Sequence, residues 1–325
     1  MQKKKNYSSQ FQNPWLLTWT LVTIFGLFLA SGCAGTKSTP PAQFAITADR
    51  YKANFTAARH LVFIGLDGWG GDYVSKSDMP TVKRMMARGA SSLSLKCVEP
   101  SNSWPNWTAL FSGSPQTRFN ESREGEKFTT IFTAIKASGK PGMPAFFFEW
   151  EELQNICQDD EAEKIKTTSD LESAEKVASY ITEKKPVFTA VVFNQPDSIG
   201  HSKRWGSKAY YSKLTELDSY IAVIEQGVKD AGIYDDTVFI LSADHGGVLW
   251  GHGFNSPAQR KIPLIICGKG IKKGHIIPPG KEPRPSGSAE FSGPTICDIA
   301  PTMAAILGLE TFSEWTGKPL KEIFE

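Results

Sequence analysis

His60-Leu61-Val62-Phe63-Ile64-Gly65-Leu66, running straight into Asp67-Gly68, decides how the rest of the chain is read. It is a short continuous apolar run, the pattern of a strand buried on both faces, and a carboxylate followed by glycine marks its end. Three later segments repeat that grammar. Pro186 to Asn194 runs into Pro196-Asp197, Thr237 to Ser242 into Asp244-His245-Gly246-Gly247, and Ile262 to Cys267 into Gly268. Ser92 to Val98 is strand-like as well and leads into Glu99-Pro100.

Between these runs the periodicity changes. Tyr210, Leu214, Leu217, Ile221, Ile224 and Val228 recur every three or four residues, which lays one apolar stripe along a helix ending near Gly232. Leu171 to Ile181 and Ala300 to Leu307 also read as helices. Buried strands alternating with helices predict an α/β fold, with a mostly parallel central sheet and helices on both faces. Ligand sites in such sheets lie beyond the carboxyl ends of the strands. Asp67, Asp197 and the Asp244-His245 pair each follow the end of a predicted strand, so one sheet edge gathers them.

Those residues have the chemistry of metal ligands. Asp197 and His201 stand four apart, Asp244-His245 follows, and His252 lies in Gly251-His252-Gly253. The chain holds 5 His, and three of them sit beside Gly or Asp in these segments. His60 and His275 fit ordinary surface or capping roles. Carboxylate oxygen and neutral imidazole nitrogen suit zinc, and two ions about 4 Å apart can share the attacking and leaving oxygens of a phosphoryl transfer. Ser103, in Asn102-Ser103-Trp104-Pro105-Asn106-Trp107, opens a predicted helix from Trp104 to Phe111. Pro105 suits a first turn, and a helix start offers free N–H groups to an anion.

In order and approximate spacing, Leu66-Asp67-Gly68, Ser103-Trp104-Pro105-Asn106, Pro196-Asp197-Ser198-Ile199-Gly200-His201 and Ser242-Ala243-Asp244-His245-Gly246-Gly247 resemble a known family. It is the type I phosphodiesterase/nucleotide pyrophosphatase branch of the alkaline phosphatase superfamily. The resemblance runs from about His60 to Leu320, since Gly268 to Gly274 and Asp298-Ile299-Ala300-Pro301-Thr302 are similar to its closing elements. It implies an alkaline phosphatase-like fold and a site for two divalent metal ions. Asp197, His201 and His252 would hold one ion; Asp67, Asp244, His245 and the Ser103 oxygen would hold the other. Ser103 would be the nucleophile, and the Asn106 amide would stabilise a non-bridging phosphate oxygen.

Several positions depart from that pattern. Asn102 and Trp107 stand where the branch has Lys and His, and His252 follows Asp244 closely where nucleotide-cleaving members carry a longer insertion. A compact variant is implied, acting on a small-molecule phosphoester. Trp69, Trp104 and Trp107 offer either a stacking face for a base or core packing. With no Lys or Arg beside Ser103, diesters or nucleotide pyrophosphates are expected rather than monoesters. A phosphomonoesterase and a sulfatase are the nearest alternatives, but Trp107 replaces the Arg of the sulfatase maturation motif. Phosphoglycerate mutases share the Leu66-Asp67-Gly68-Trp69-Gly70 start, yet need a large inserted domain. An inactive binding module would have lost a ligand, and every ligand position is filled.

The N-terminus reads separately. Lys3, Lys4 and Lys5 precede an apolar run from Trp15 to Ala30, followed by Ser31-Gly32-Cys33. That is the layout of a secretory signal, and Leu29-Ala30-Ser31-Gly32-Cys33 resembles a bacterial lipobox whose Cys is acylated. Residues 1–32 are therefore expected to be a lipoprotein signal peptide and 33–44 a Ser-, Thr-, Pro- and Gly-rich tether. Residues 45–325 would form a single catalytic domain. The expected location is the bacterial cell envelope, with the membrane as partner through the lipid on Cys33. The balance of 36 Lys+Arg against 34 Asp+Glu gives no basic stripe, so no polymeric nucleic acid is expected, and no protein partner is predicted. Cys97, Cys157, Cys267 and Cys297 match no zinc-ribbon spacing and are read as buried thiols or a bridge.

Overall fold

The computed structural model of the chain describes residues 57–115, 127–279 and 293–325. The expected signal peptide, Cys33 and the expected tether lie outside those residues. The strands are β1 (His60–Leu66), β2 (Gly89–Lys96), β3 (Ala145–Phe148), β4 (Glu163–Lys166), β5 (Phe188–Phe193), β6 (Thr237–Ser242), β7 (Lys261–Gly268) and β8 (His275–Ile276). They form one 8-stranded sheet in the order β4-β3-β5-β1-β6-β7-β2-β8.

The predicted architecture holds: β4, β3, β5, β1 and β6 run parallel to one another. β7 alone is reversed, pairing antiparallel with both β6 and β2. The segment after β6 stays at the strand's carboxyl end, where β7 then starts, so β7 runs back down the sheet. Because β2 is antiparallel to β7, its own carboxyl end points the same way as those of β1, β5 and β6. That places Ser103, seven residues beyond Lys96, at the edge that gathers the other site residues.

Continuous apolar sequence and double-sided burial coincide in the central strands. All residues of β5 and β6 are buried, as is β1 from Leu61 to Leu66. Each large side chain so buried contributes roughly 1.5–3 kcal/mol relative to exposure. The helices are α1 (Gly71–Val74), α2 (Pro80–Ala87), α3 (Ser103–Ser112), α4 (Ile131–Ala137), α5 (Asp170–Lys184), α6 (Asp197–Lys203), α7 (Lys208–Asp230), α8 (Pro257–Arg260) and α9 (Ile299–Leu307). The α7 stripe from Tyr210 to Val228 is buried as the periodicity predicts, and the Ser207 side chain caps its start by accepting from the Tyr210 N–H. α7 packs against α5 and α2, while α9 packs against α3 and α4, giving two helical layers. Among the described residues no helix is long and apolar enough to cross a membrane. Cys97, Cys157, Cys267 and Cys297 are all free and buried.

Candidate metal centre

Asp67 leaves β1 with its N–H donating to the Phe193 carbonyl, 3.0 Å, which ties the ends of β1 and β5 together. Gly68 then turns the chain at φ 70°, and a Cβ there would lie 2.9 Å from the backbone and side chain of Asp197. Glycine is thus required twice over, by conformation and by the close approach of a carboxylate. The Gly68 N–H donates to Asp244 Oδ1, 3.1 Å, linking β1 to the end of β6. Asp197 opens α6, and His201 lies one turn further on the same face.

The structure brings all seven sequence-predicted ligands together. In one cluster His201 Nε2 lies 3.4 Å from Asp197 Oδ2, His252 Nε2 lies 3.6 Å from Asp197 Oδ1, and the two imidazole nitrogens are 3.1 Å apart. In the other, His245 Nε2 lies 3.2 Å from Asp244 Oδ2, 3.6 Å from Asp67 Oδ1 and 3.1 Å from Ser103 Oγ. Ser103 Oγ is also 3.4 Å from Asp67 Oδ1. The clusters adjoin, with the His245 and His252 rings stacked at 3.8 Å between centroids. Potential ligand atoms of Asp197, His245 and His252, and of Asp67, Asp244 and His245, form two compact donor sets.

The outer hydrogen bonds state what these donors want. His201 Nδ1 meets the Trp250 carbonyl at 2.9 Å, His245 Nδ1 the Gly246 carbonyl at 2.8 Å, and His252 Nδ1 the Ser101 carbonyl at 2.8 Å. A carbonyl only accepts, so each Nδ1 carries the proton, which leaves Nε2 as the nitrogen that faces the centre and can ligate. Burial holds His245 and His252 below the usual imidazole range, His252 at about 4. Burial, reinforced by Asp244 and Asp197, pushes Asp67 well above the carboxylate range, and burial likewise raises Asp244. Among the described residues, the ion-pair partners of these three carboxylates are histidines. Asp197 Oδ1 and Asp244 Oδ2 are buried without a hydrogen-bond partner. Converging lone pairs and orphaned carboxylate oxygens are mutually repulsive without a cation, so the donor set fits two divalent ions, and its N/O composition suits zinc.

Ser103 is the first residue of α3, after the N-cap Asn102, which makes no side-chain cap. The amide implied for Asn106 is a correction. Its Oδ1 accepts from the Val98 N–H at 2.7 Å, and its Nδ2 donates to the Pro100 and Asn102 carbonyls at 3.0 and 2.9 Å. Asn106 is fully buried and braces the Ser103 loop, because unpaired carbonyls in a buried turn claim the nearest donor. Of the two readings of Trp69, Trp104 and Trp107, core packing holds, since all three are buried. Trp107 nonetheless serves the site, since its indole N–H donates to Asp67 Oδ2 at 3.1 Å.

Sequence reasoning missed Trp205, whose only signal was its position four residues after His201. Its indole N–H donates to the Gly68 carbonyl at 2.9 Å, and its ring meets the His201 ring edge-on at 4.9 Å. Ser101 was missed too. Its hydroxyl bonds the Phe254 carbonyl and accepts the Gly253 N–H, joining the Ser103 loop to the His252 loop.

The family model described as type I phosphodiesterase / nucleotide pyrophosphatase matches residues 61–118 and 125–250. GPI ethanolamine phosphate transferase 1 of Emericella nidulans is 29% identical over 211 residues, 59% of this chain and 23% of that protein. The 2,3-bisphosphoglycerate-independent phosphoglycerate mutase of Cronobacter sakazakii is 24% identical over 248 residues, 73% of this chain and 42% of that protein. The chain spans less than a quarter of the length of the transferases it matches. Among solved structures, human ectonucleotide pyrophosphatase / phosphodiesterase 5 superposes with a TM-score of 0.65. At 12% identity over 82% of this chain and 100% of that one, the likeness is one of fold.

Proposed function

The chain belongs to the type I phosphodiesterase/nucleotide pyrophosphatase family of the alkaline phosphatase superfamily, and from that premise we propose that it is a two-metal hydrolase of phosphodiester or nucleotide pyrophosphate bonds working through a phosphoryl-Ser103 intermediate. One observation carries the reading: three Nε2 lone pairs and three carboxylates converge beside a serine hydroxyl at a helix start.

Asp197, His201 and His252 would hold one divalent ion, and Asp67, Asp244, His245 and Ser103 Oγ the other. Bound there, the ions supply Lewis acidity that lowers the pKa of the Ser103 hydroxyl and neutralises charge on the attacking and leaving oxygens. Ser103 attacks phosphorus as the bond to the leaving oxygen breaks, and water then cleaves the phosphoserine ester. The uncapped first turn of α3 offers its N–H groups, at the positive helix end, to the non-bridging oxygens. The backbone carbonyls of Ser101, Gly246 and Trp250 fix the three imidazoles in the ligating tautomer. A monoester brings a second ionised oxygen that needs a further cationic contact, and the sequence around Ser103, Ser101-Asn102-Ser103-Trp104-Pro105-Asn106-Trp107, carries no Lys or Arg to supply it, which supports diesters.

Ser103→Ala is expected to lower kcat on bis-aryl phosphates by at least about 10³-fold while the fold survives. Wild-type turnover by a chelated, zinc-free protein, or retained turnover in Ser103→Ala, would reject the reading. We further propose, from Leu29-Ala30-Ser31-Gly32-Cys33, that Cys33 is lipidated and tethers the domain to the bacterial envelope. Mass spectrometry of the N-terminal peptide decides this, an unmodified Cys33 behind an uncleaved leader being the adverse result.

A further inference from the structure

The centre opens on one side. The His201 side chain is 45% exposed, whereas those of His245 and Asp244 are fully buried. Against that open side lies the stretch Val248-Leu249-Trp250-Gly251-His252-Gly253-Phe254, which carries one ligand, His252, and orients another, because the Trp250 carbonyl accepts from His201 Nδ1. Half of the large hydrophobic residues exposed among the described residues fall in this stretch: Val248, Leu249, Trp250 and Phe254, the last 75% exposed. No Lys, Arg, Asp or Glu occurs from Gly246 to Gln259.

The stretch is held firmly, so its apolar surface is a fixed feature. Val248 and Gly251 exchange backbone hydrogen bonds at 3.0 and 3.1 Å. The Trp205 N–H donates to the Leu249 carbonyl at 2.8 Å, and Tyr73 Oη donates to the Gly247 carbonyl at 2.8 Å. The Phe254 carbonyl and N–H are bound by Ser101 and Gln259. Leu249 is kept at φ 56°, a left-handed conformation that a non-glycine residue adopts only when its surroundings impose it.

The direction of displacement tells what meets this surface. Ser103 approaches phosphorus from the Asp67, Asp244 and His245 side, and an in-line leaving oxygen departs on the opposite side, toward Asp197, His201 and His252. On that path the group attached to that oxygen would emerge beside the Val248 to Phe254 loop, which carries His252 and whose Trp250 carbonyl holds His201. An uncharged apolar platform gains free energy from an apolar partner and offers nothing to a charged diphosphate. We propose that Leu249, Trp250 and Phe254 form a leaving-group subsite, and that the natural substrate is a phosphodiester whose departing alcohol carries an apolar body, an alkyl chain or aryl ring. This rests on the two-metal diesterase reading above.

The test uses the full chain, zinc-loaded and kept soluble in lipid nanodiscs, and its Leu249→Ser/Phe254→Ser variant. Two diesters of equal leaving-group acidity are compared, methyl phenyl phosphate and methyl 4-hexylphenyl phosphate. Wild type is expected to favour the hexyl ester in kcat/KM by about tenfold or more, and the variant to lose most of that ratio. Calorimetric binding of the non-hydrolysable (4-hexylphenyl)methylphosphinate, whose phosphorus carries two P–C bonds and no ester, should weaken about tenfold in parallel. Equal wild-type kcat/KM values for the two esters, or a ratio unchanged in the variant, overturns the proposal. So does a variant that alters only quenching of Trp250 by brominated lipid, which would make the loop a bilayer contact. Hydrolysis of neither ester by zinc-loaded wild type would instead sink the diesterase reading itself.

Discussion

Trp107→Phe removes one hydrogen bond from the centre, together with the outer edge of an indole that packs over Gly65. The phenyl ring can keep the contacts that Trp107 makes with Phe63 and Phe111. What disappears is the indole N–H to Asp67 Oδ2, 3.1 Å, inside a fully buried environment. A hydrogen bond to a charged group is worth about 1.5–3 kcal/mol net. Losing an outer partner of a metal ligand costs about 10–100-fold in affinity, or about 1.4–2.8 kcal/mol, so the two scales agree. The direction follows from Asp67 itself: burial, Asp244 and Asp197 push its carboxyl toward the protonated form, and the Trp107 bond opposes them. Without that bond a proton competes better for the ligand oxygen. Zinc affinity, measured by competition with a chelator at one fixed pH, should therefore fall about 10–100-fold. Trp315→Phe is the control, because it too removes an indole bond, a partly buried one to the Thr129 carbonyl at 2.8 Å, but at the other end of α3, where the ring packs on Gly113. It should lower thermal stability and leave zinc affinity alone. A folded Trp107→Phe protein that binds zinc within twofold of wild type refutes the account of how Asp67 is held.

Two further outcomes are expected. Gly68→Ala places a Cβ 2.9 Å from Asp197 and forces alanine to φ 70°; it should destabilise the fold by at least about 1–2 kcal/mol and depress zinc affinity, as read by melting and metal titration. Burial first, then Glu149, raises the Asp170 carboxyl to about 8, and its Oδ1 accepts from the Asn194 N–H. The folded state thus holds a proton that the unfolded chain releases above 3.8, so stability is highest at low pH in this window and is lost as pH rises toward about 8. Asp170→Asn should flatten that part of a Tm-against-pH profile, and an unchanged slope would show that Asp170 does not set it.

The sequence was legible where one local pattern had one structural meaning. Leu61 to Leu66 and Thr237 to Ser242 are apolar without alternation, and only a strand covered on both faces buries them so completely. Their carboxyl ends then had to share an edge, which is why Asp67, Asp197, Asp244 and His245 could be grouped before any coordinates. The reversal of β7 was not legible, since Lys261 to Gly268 is equally apolar in either direction and its sense is set by where the preceding loop ends. Asn106 shows a different limit. Its residue type suits a phosphate oxygen, but a side-chain amide goes to whichever partners its own loop leaves unpaired, and three carbonyls and an N–H stand closer. Trp107 and Trp205 complete the point from the other side. Both are core, yet each spends its single N–H on the framework of the centre, one on Asp67 and one on the Gly68 carbonyl. A donor's direction inside a core is a tertiary property. The ligands can therefore be read from sequence order, while the hydrogen bonds that make them good ligands are fixed only when strands and helices have packed.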